Sequence, residues 1–447
     1  MRDMRRAFVR MGGASILAAT LTLTLIGCGA STSASAEQET GSAVVAQTLT
    51  EDATTDDTRA GTTASVASMR TDGVVDTTDL FTDRDLQQTV DTTDASVITV
   101  TDGQDVSITE AGVYVLRGEA AEVTVTVEAD DTAKVQLVLD GVSITNTDAP
   151  AIYVKSADKV FVTTTEGSTN TLQVTGAFVA DGDTNTDAVI FSKDDLTLNG
   201  LGTLVISSTG NGVTSKDDLK VTGGSYQVSA TADGFEAHDS VRIADGELGI
   251  VSGKDAIHAE DDEDDTTGYV YVCGGTLAID AADDGIQATT YLQIDDGTLT
   301  IDAAEALEAT YVQVNGGSVS IAATDDGINA TYKSQSLGTP TIEVTDGEIQ
   351  ISMAQGDTDA LDSNGNLLVS GGTIDITAQF AFDYDGTASF TGGTITVNGE
   401  QVTEITNSMM MGGGMGPGGE MGGMGPGGMG EMGGMGPGMG AQGNMQG

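Results

Sequence analysis

Carboxylates recur in pairs and runs along this chain: Asp194-Asp195, Asp217-Asp218, Glu260-Asp-Asp-Glu-Asp-Asp265, Asp283-Asp284 and Asp325-Asp326. Such groups offer hard oxygen donors, and like charges at close spacing repel unless a cation or a proton intervenes. Calcium suits them because it takes about six to eight oxygens in flexible geometry. Asp233, Asp255, Asp283, Asp284, Asp325 and Asp326 are therefore the candidate metal ligands, with Ca2+ as the expected cofactor. The competing reading is that each repeated aspartate accepts a backbone N–H at a chain corner.

A second set of residues could meet a sugar. Tyr269, Tyr291 and Tyr311 each stand six positions before a turn glycine, Gly275, Gly297 and Gly317, and Tyr271 lies beside the first. Each precedes an inward apolar residue, so the rings are expected to face outward as a ladder. Aromatic faces stack on the apolar faces of sugars while the hydroxyls stay wet. A purely structural stack of like residues would give the same spacing. Catalysis would need more. Proton abstraction beside a bound cation requires a positioned base, for which Lys254, beside Asp255, is the first candidate and Lys216 the second. His238 and His258 do not occupy equivalent positions, and Cys273 has the character of a buried or corner-packed thiol.

These residues sit on a repeat. A Gly-Gly, Asp-Gly or equivalent pair ends at Gly224, Gly246, Gly275, Gly297, Gly317, Gly347, Gly372 and Gly393, with spacings of 22, 29, 22, 20, 30, 25 and 21. Each unit opens on an acidic-small-apolar-x-small segment whose Phe235, Ile257, Ile286, Leu307, Ile328 and Leu361 should point inward and stack. A short alternating strand follows, such as Val270-Tyr-Val272, then the glycine turn, then a third strand, such as Thr298-Leu-Thr-Ile301. One unit cannot bury its own apolar face, so units must stack. Three short strands and three corners per coil of about 20–22 residues describe an all-β, parallel β-helix. The longer spacings place insertions at Glu260–Gly268, Thr331–Pro340 and near Met353–Gly356.

The ends differ in character. Arg2, Arg5, Arg6 and Arg10 precede an apolar run from about Ala14 to Ile26, and Leu25-Ile-Gly-Cys28 follows. This is a secretory signal over residues 1–27 rather than a spanning helix. Its end resembles a bacterial lipobox, which implies a lipid on Cys28 and anchoring outside the cytoplasm at the cell membrane or surface. Arg5-Arg6-Ala-Phe-Val-Arg10 is also similar to a twin-arginine export signal. Residues 28–95 are too poor in large apolar side chains to order themselves and read as a flexible stalk. The coils are expected over 96–405, and 406–447 reads as a Gly/Met/Pro-rich tail. Within it, Met421, Met424, Met432 and Met435 are spaced so that their thioethers could take Cu(I). The 17 Lys and Arg against 68 Asp and Glu give a formal charge of −51, which argues against nucleic acid or an anionic membrane surface as a partner. The lipid would be the membrane contact, and the chain is expected to be a monomer.

The texts Ala133-Lys-Val-Gln-Leu-Val-Leu-Asp-Gly-Val-Ser-Ile144, Ile190-Phe-Ser-Lys-Asp-Asp-Leu196, Leu198-Asn-Gly-Leu-Gly-Thr-Leu204, Ser215-Lys-Asp-Asp-Leu219 and Asp255-Ala-Ile-His-Ala-Glu-Asp-Asp-Glu-Asp264 with its neighbour Asp265 carry a resemblance. From about Val97 to Val397 the chain resembles the bacterial surface family of parallel β-helix carbohydrate-binding proteins, similar in fold to calcium-dependent pectate lyases. The resemblance implies a right-handed β-helix, bound calcium and recognition of cellulosic or pectic polysaccharide without catalysis. Lyase activity and a non-enzymatic adhesin or surface structural role are the alternatives. Ala256, Ala306 and Ala360 stand where the other repeats have Gly, and Glu305 where they have Asp, so not every corner need hold a metal.

Overall fold

Thr, Val and Ile crowd χ1 and suit a pleated surface, and where they alternate the chain forms strands. The computed structural model describes residues 73–408, except 262, 263, 335 and 357. Among these residues there is no α-helix, and the strands gather into a 20-stranded and a 12-stranded sheet. The pairing is parallel throughout, save for Thr394–Val397 against Glu400–Val402 and two isolated bridges. The signal at 1–27, Cys28, the stalk as far as residue 72, and the tail methionines lie outside the described residues.

Register is set by the apolar columns. In the smaller sheet Val213, Phe235, Ile257, Ile286, Leu307, Ile328, Leu361 and Phe382 are successive Cα partners. In the larger sheet Leu196, Leu219, Val241, Val270, Leu292, Val312, Ile342 and Leu367 form another column. Tyr226, Leu248, Leu277, Leu299, Val319, Ile349, Ile374 and Ile395 form a third. All three columns are buried in one continuous core. A one-residue slip would turn each apolar set outward, so the columns specify the pairing strongly.

The second and third strands of a unit are not always separate. Asp218–Ala230, Ser240–Ser252, Tyr269–Ala281 and Tyr291–Ala303 each run 13 residues through the glycine turn. The ladder absorbs the bend as a register shift, for example between Cys273 and Thr276. At the equivalent turn, between the separate strands Tyr311–Val314 and Ser318–Ala323, Gly317 shows why glycine is needed: its φ is +76°, and a Cβ would lie 2.8 Å from the Gly297 carbonyl oxygen. The insertions fall between strands as expected.

Ordered structure reaches further toward the N-terminus than the sequence predicts. Residues 73–95 belong to the expected stalk, yet Val75, Leu80, Phe81 and Leu86 are buried against Ala244, Tyr269, Tyr271 and Cys273. A few apolar residues in otherwise polar text suffice because the sheet face beneath offers matching apolar and aromatic surface. This strap makes half of the underlying strand two-sided: Tyr269–Cys273 is buried residue by residue, whereas Thr276–Ala281 alternates exposed and buried. Ordered structure also extends past residue 405. Asn407 Nδ2 donates to Asp383 Oδ1 at 2.7 Å, and the backbone N–H of Ala381 donates to Ser408 Oγ at 3.2 Å, which covers the edge of the last strand of the smaller sheet.

Candidate carbohydrate and cation sites

The repeat places two columns of polar side chains on the smaller sheet. One comprises Asp233, Asp255, Asp284, Glu305, Asp326 and Asp359, two positions before the inward apolar residue. The other is the x position of each unit: Glu236, His258, Gln287, Glu308, Asn329 and Asp362. Strand alternation sends the x column, one residue after the inward apolar residue, to the side opposite the core; the acidic column, two residues before that apolar residue, stands where the chain enters the strand, and carboxylates of adjacent units meet there.

Part of the first column serves the backbone. Asp255 N donates to Asp233 Oδ1 at 3.2 Å, Asp284 N to Asp255 Oδ1 at 3.0 Å, and Asp359 N to Asp326 Oδ1 at 3.1 Å. The corner reading of these aspartates thus holds for one oxygen of each. Carboxylates of this column also converge with neighbouring groups in sets whose ligand atoms lie within 4.8 Å of one another: Asp233, Asp255 and His258; Asp255, Asp283 and Asp284; Asp284, Glu305 and Glu308. Asp195, Asp217 and Asp218 form a further set, as do His238, Asp239 and Asp261. Among the described residues Asp325 and Asp326 join no such set. Asp326 instead faces Asp362 and Asp383, which, after burial itself, push its carboxyl up to about 6.

Burial is the main cause of the upward shifts of four carboxyls here. It raises Asp233, Asp255 and Asp284, with neighbouring carboxylates adding to it. Glu305 is pushed up to about 7 by burial, the bond from Asn329 opposing and Glu308 reinforcing it. Asn329 Nδ2 donates to Glu305 Oε2 at 2.8 Å, while its buried Oδ1 has no hydrogen-bond partner. Lys333 Nζ lies 2.6 Å from Glu308 Oε2. An oxygen-rich, mutually repelling and partly desolvated donor set of this kind fits a hard divalent cation; at the first set His258 brings an imidazole instead. The x-position residues His258 and Glu308 and the loop residue Lys333 are the ones sequence reasoning passed over. The recurrence of a polar side chain at x in every unit was the available signal for the first two.

The tyrosines divide into two kinds. Tyr269 and Tyr271 are not the exposed rungs expected of them, because the strap covers both. Tyr271 is fully buried and donates to Asp295 Oδ2 at 2.7 Å, and the Arg242 guanidinium lies 5.3 Å from the Tyr269 ring centroid. Tyr291 and Tyr311 are half-buried register partners with ring centroids 6.3 Å apart. Tyr311 Oη donates to Glu343 Oε2 at 2.9 Å, which fixes its ring. Lys254 is exposed beside Asp255, and Lys216 Nζ lies 2.9 Å from Glu236 Oε1.

Stacked parallel strands carrying half-open aromatics on one face and carboxylates on another define a repetitive surface rather than an enclosed cleft. The chain belongs to the family described as carbohydrate-binding domain-containing protein, which matches two overlapping stretches, residues 102–355 and 304–401. A relative of the same description from Acetivibrio thermocellus is 36% identical over 128 residues, 28% of this chain and 45% of the relative. The chain thus spans less than half of that relative's length. A solved structure described as the polysaccharide lyase-like protein from C. thermocellum, gadolinium derivative, is similar with a TM-score of 0.41 at 23% identity, covering 66% of this chain and 98% of that one.

Proposed function

We propose that this chain is a surface-anchored, calcium-stabilised lipoprotein that binds cell-wall-type polysaccharide without cleaving it, and that its units wind as a right-handed parallel β-helix. Membership of the carbohydrate-binding domain family is the observation that carries the binding reading. The Tyr291–Tyr311 pair supports a contact surface for it: two rings at neighbouring positions of one sheet face, close enough to lie against consecutive sugars of one chain. Calcium is supported by the convergent oxygens of Asp255, Asp283, Asp284, Glu305 and Glu308. Cell-wall polysaccharide and the Cys28 lipid rest on the sequence resemblance.

The test is retention on insoluble polysaccharide. Changing Tyr291 and Tyr311 together to Ala should reduce retention roughly tenfold or more, as expected for losing two stacked aromatic contacts, while leaving the melting temperature close to that of the unaltered chain. Undiminished retention would give the rings a structural role only.

A further inference from the structure

The strap Gly73–Gln88 occupies the sheet face that continues upstream from the half-buried tyrosine pair, with Tyr291 packed against the strap's apolar cluster. Side chains of the sheet grip it. Gln293 Oε1 accepts from Val75 N at 2.8 Å and Gln313 Oε1 from Val74 N at 3.0 Å, while Arg242 donates to the Leu80 carbonyl at 3.3 Å. The rings of Tyr269 and Tyr271 pack with its apolar residues. Planar amides on backbone-like polar groups, beside aromatic rings, are also the means by which a polar chain of sugars is held.

The strap's buried anchor is a carboxylate. Asp85 Oδ1 lies 3.2 Å from Lys159 Nζ and accepts from Thr197 Oγ1 at 3.0 Å, and its Oδ2 lies 3.7 Å from Lys220 Nζ. Arg242 stands one unit further on, 2.7 Å from Asp218. In a chain of net charge −51, Lys159, Lys220 and Arg242 gather on nearby rungs, with Asp195 3.1 Å from Lys159 and Asp218 beside the other two. Three cations against two sheet carboxylates leave one positive charge, and Asp85 neutralises it.

We propose that Gly73–Gln88 is an autoinhibitory strap, and that a carboxylate-bearing glycan chain displaces it, lying along Tyr269 and Tyr271 and placing an acidic group where Asp85 sits between Lys159 and Lys220. The inference rests on the carbohydrate-binding reading and extends its site from two rings to four.

The chain contains no Trp, so Phe81→Trp in the full-length protein places a single emitter under the strap. Adding a soluble uronate polymer should shift its emission to the red, while a neutral glucan of equal length should shift it far less. Asp85→Asn, added to Phe81→Trp, removes the latch and should lower the polymer concentration for half-maximal shift about tenfold. The unaltered chain gives an independent readout, since tryptic cleavage after Arg84 should accelerate in the presence of the uronate polymer. Retention of the polymer with neither a red shift nor faster cleavage would overturn the strap while leaving carbohydrate binding intact. An equal response to the neutral glucan would overturn the role given to Asp85. Absence of both retention and shift would overturn both readings.

Discussion

The carboxylate columns make one residue do two jobs, accepting the next unit's backbone N–H through one oxygen and presenting the other to its neighbours. The pH dependence of the metal-free protein follows. In the folded state Glu305 is raised to about 7, and Asp326 and Asp362 to about 6, by burial first and neighbouring acids after it. In the unfolded chain such groups titrate near ~4. The folded state therefore holds more protons between those values; the stabilisation is fully present below the unfolded pKa and is lost as pH rises through the folded ones. In chelator, the melting temperature should rise as pH falls from about 8 to about 5, and calcium should raise and flatten the curve at neutral pH by mass action. Identical curves in calcium and in chelator would reject the metal sites. At this scale the sequence marked the aspartates before each inward apolar residue. It did not mark His258 or Glu308, because x varies between acid, imidazole and amide, and only the pairing shows those side chains converging on the acidic column.

Among the elements, the glycine bends separate the stacked units from an ordinary run of strands. Gly317→Ala asks a side chain to accept φ of +76° with a backbone oxygen 2.8 Å from its Cβ. We expect a loss of about 1–3 kcal/mol, read as a lower denaturant midpoint with unchanged m-value; an unchanged midpoint would mean that the bend relaxes freely. The alternation of Val, Ile and Leu made the strands and all three stacked columns legible, since each apolar position recurs at one register in every unit. The continuity of Tyr269–Ala281 through its bend was less so: a Gly-Gly pair reads as a chain break, whereas the ladder closes over it with a register shift. The strap was illegible for a different reason. Its four buried apolar residues are too few to order a segment alone, and the surface that orders them lies more than 150 residues away in sequence, as the 218 positions between Val75 and Gln293 illustrate.

The whole molecule presents a large excess of acid and few exposed cations. β-Elimination from a uronan needs a basic side chain within reach of the abstracted proton, and Lys254, the first candidate, is an exposed residue at the margin of the carboxylate cluster. We expect no growth of ultraviolet absorbance from polygalacturonate with calcium at neutral or alkaline pH. Steady growth that disappears in Lys254→Ala would make this a lyase. The all-β, parallel character and the carbohydrate-binding family were readable here because a repeat states its pattern many times over; the location of the accessible surface was not, because a single non-repeating segment decides which positions stay uncovered.

That segment also sets how the described part of the chain would take up a pull on its N-terminal side. The described chain enters at Gly73 and Val74, against Gln293 and Gln313 in the middle of the stack, runs back as far as the rung of Lys159, and only then pairs Ser96–Thr99 with the strand above. Tension on the N-terminal side is therefore applied first across side-chain contacts, not across a strand ladder. Peeling the 16 residues of the strap would pay out about 55 Å of chain at ~3.4 Å per residue before any rung is strained, a shock absorber in series with a body whose rungs hold one another by their backbones.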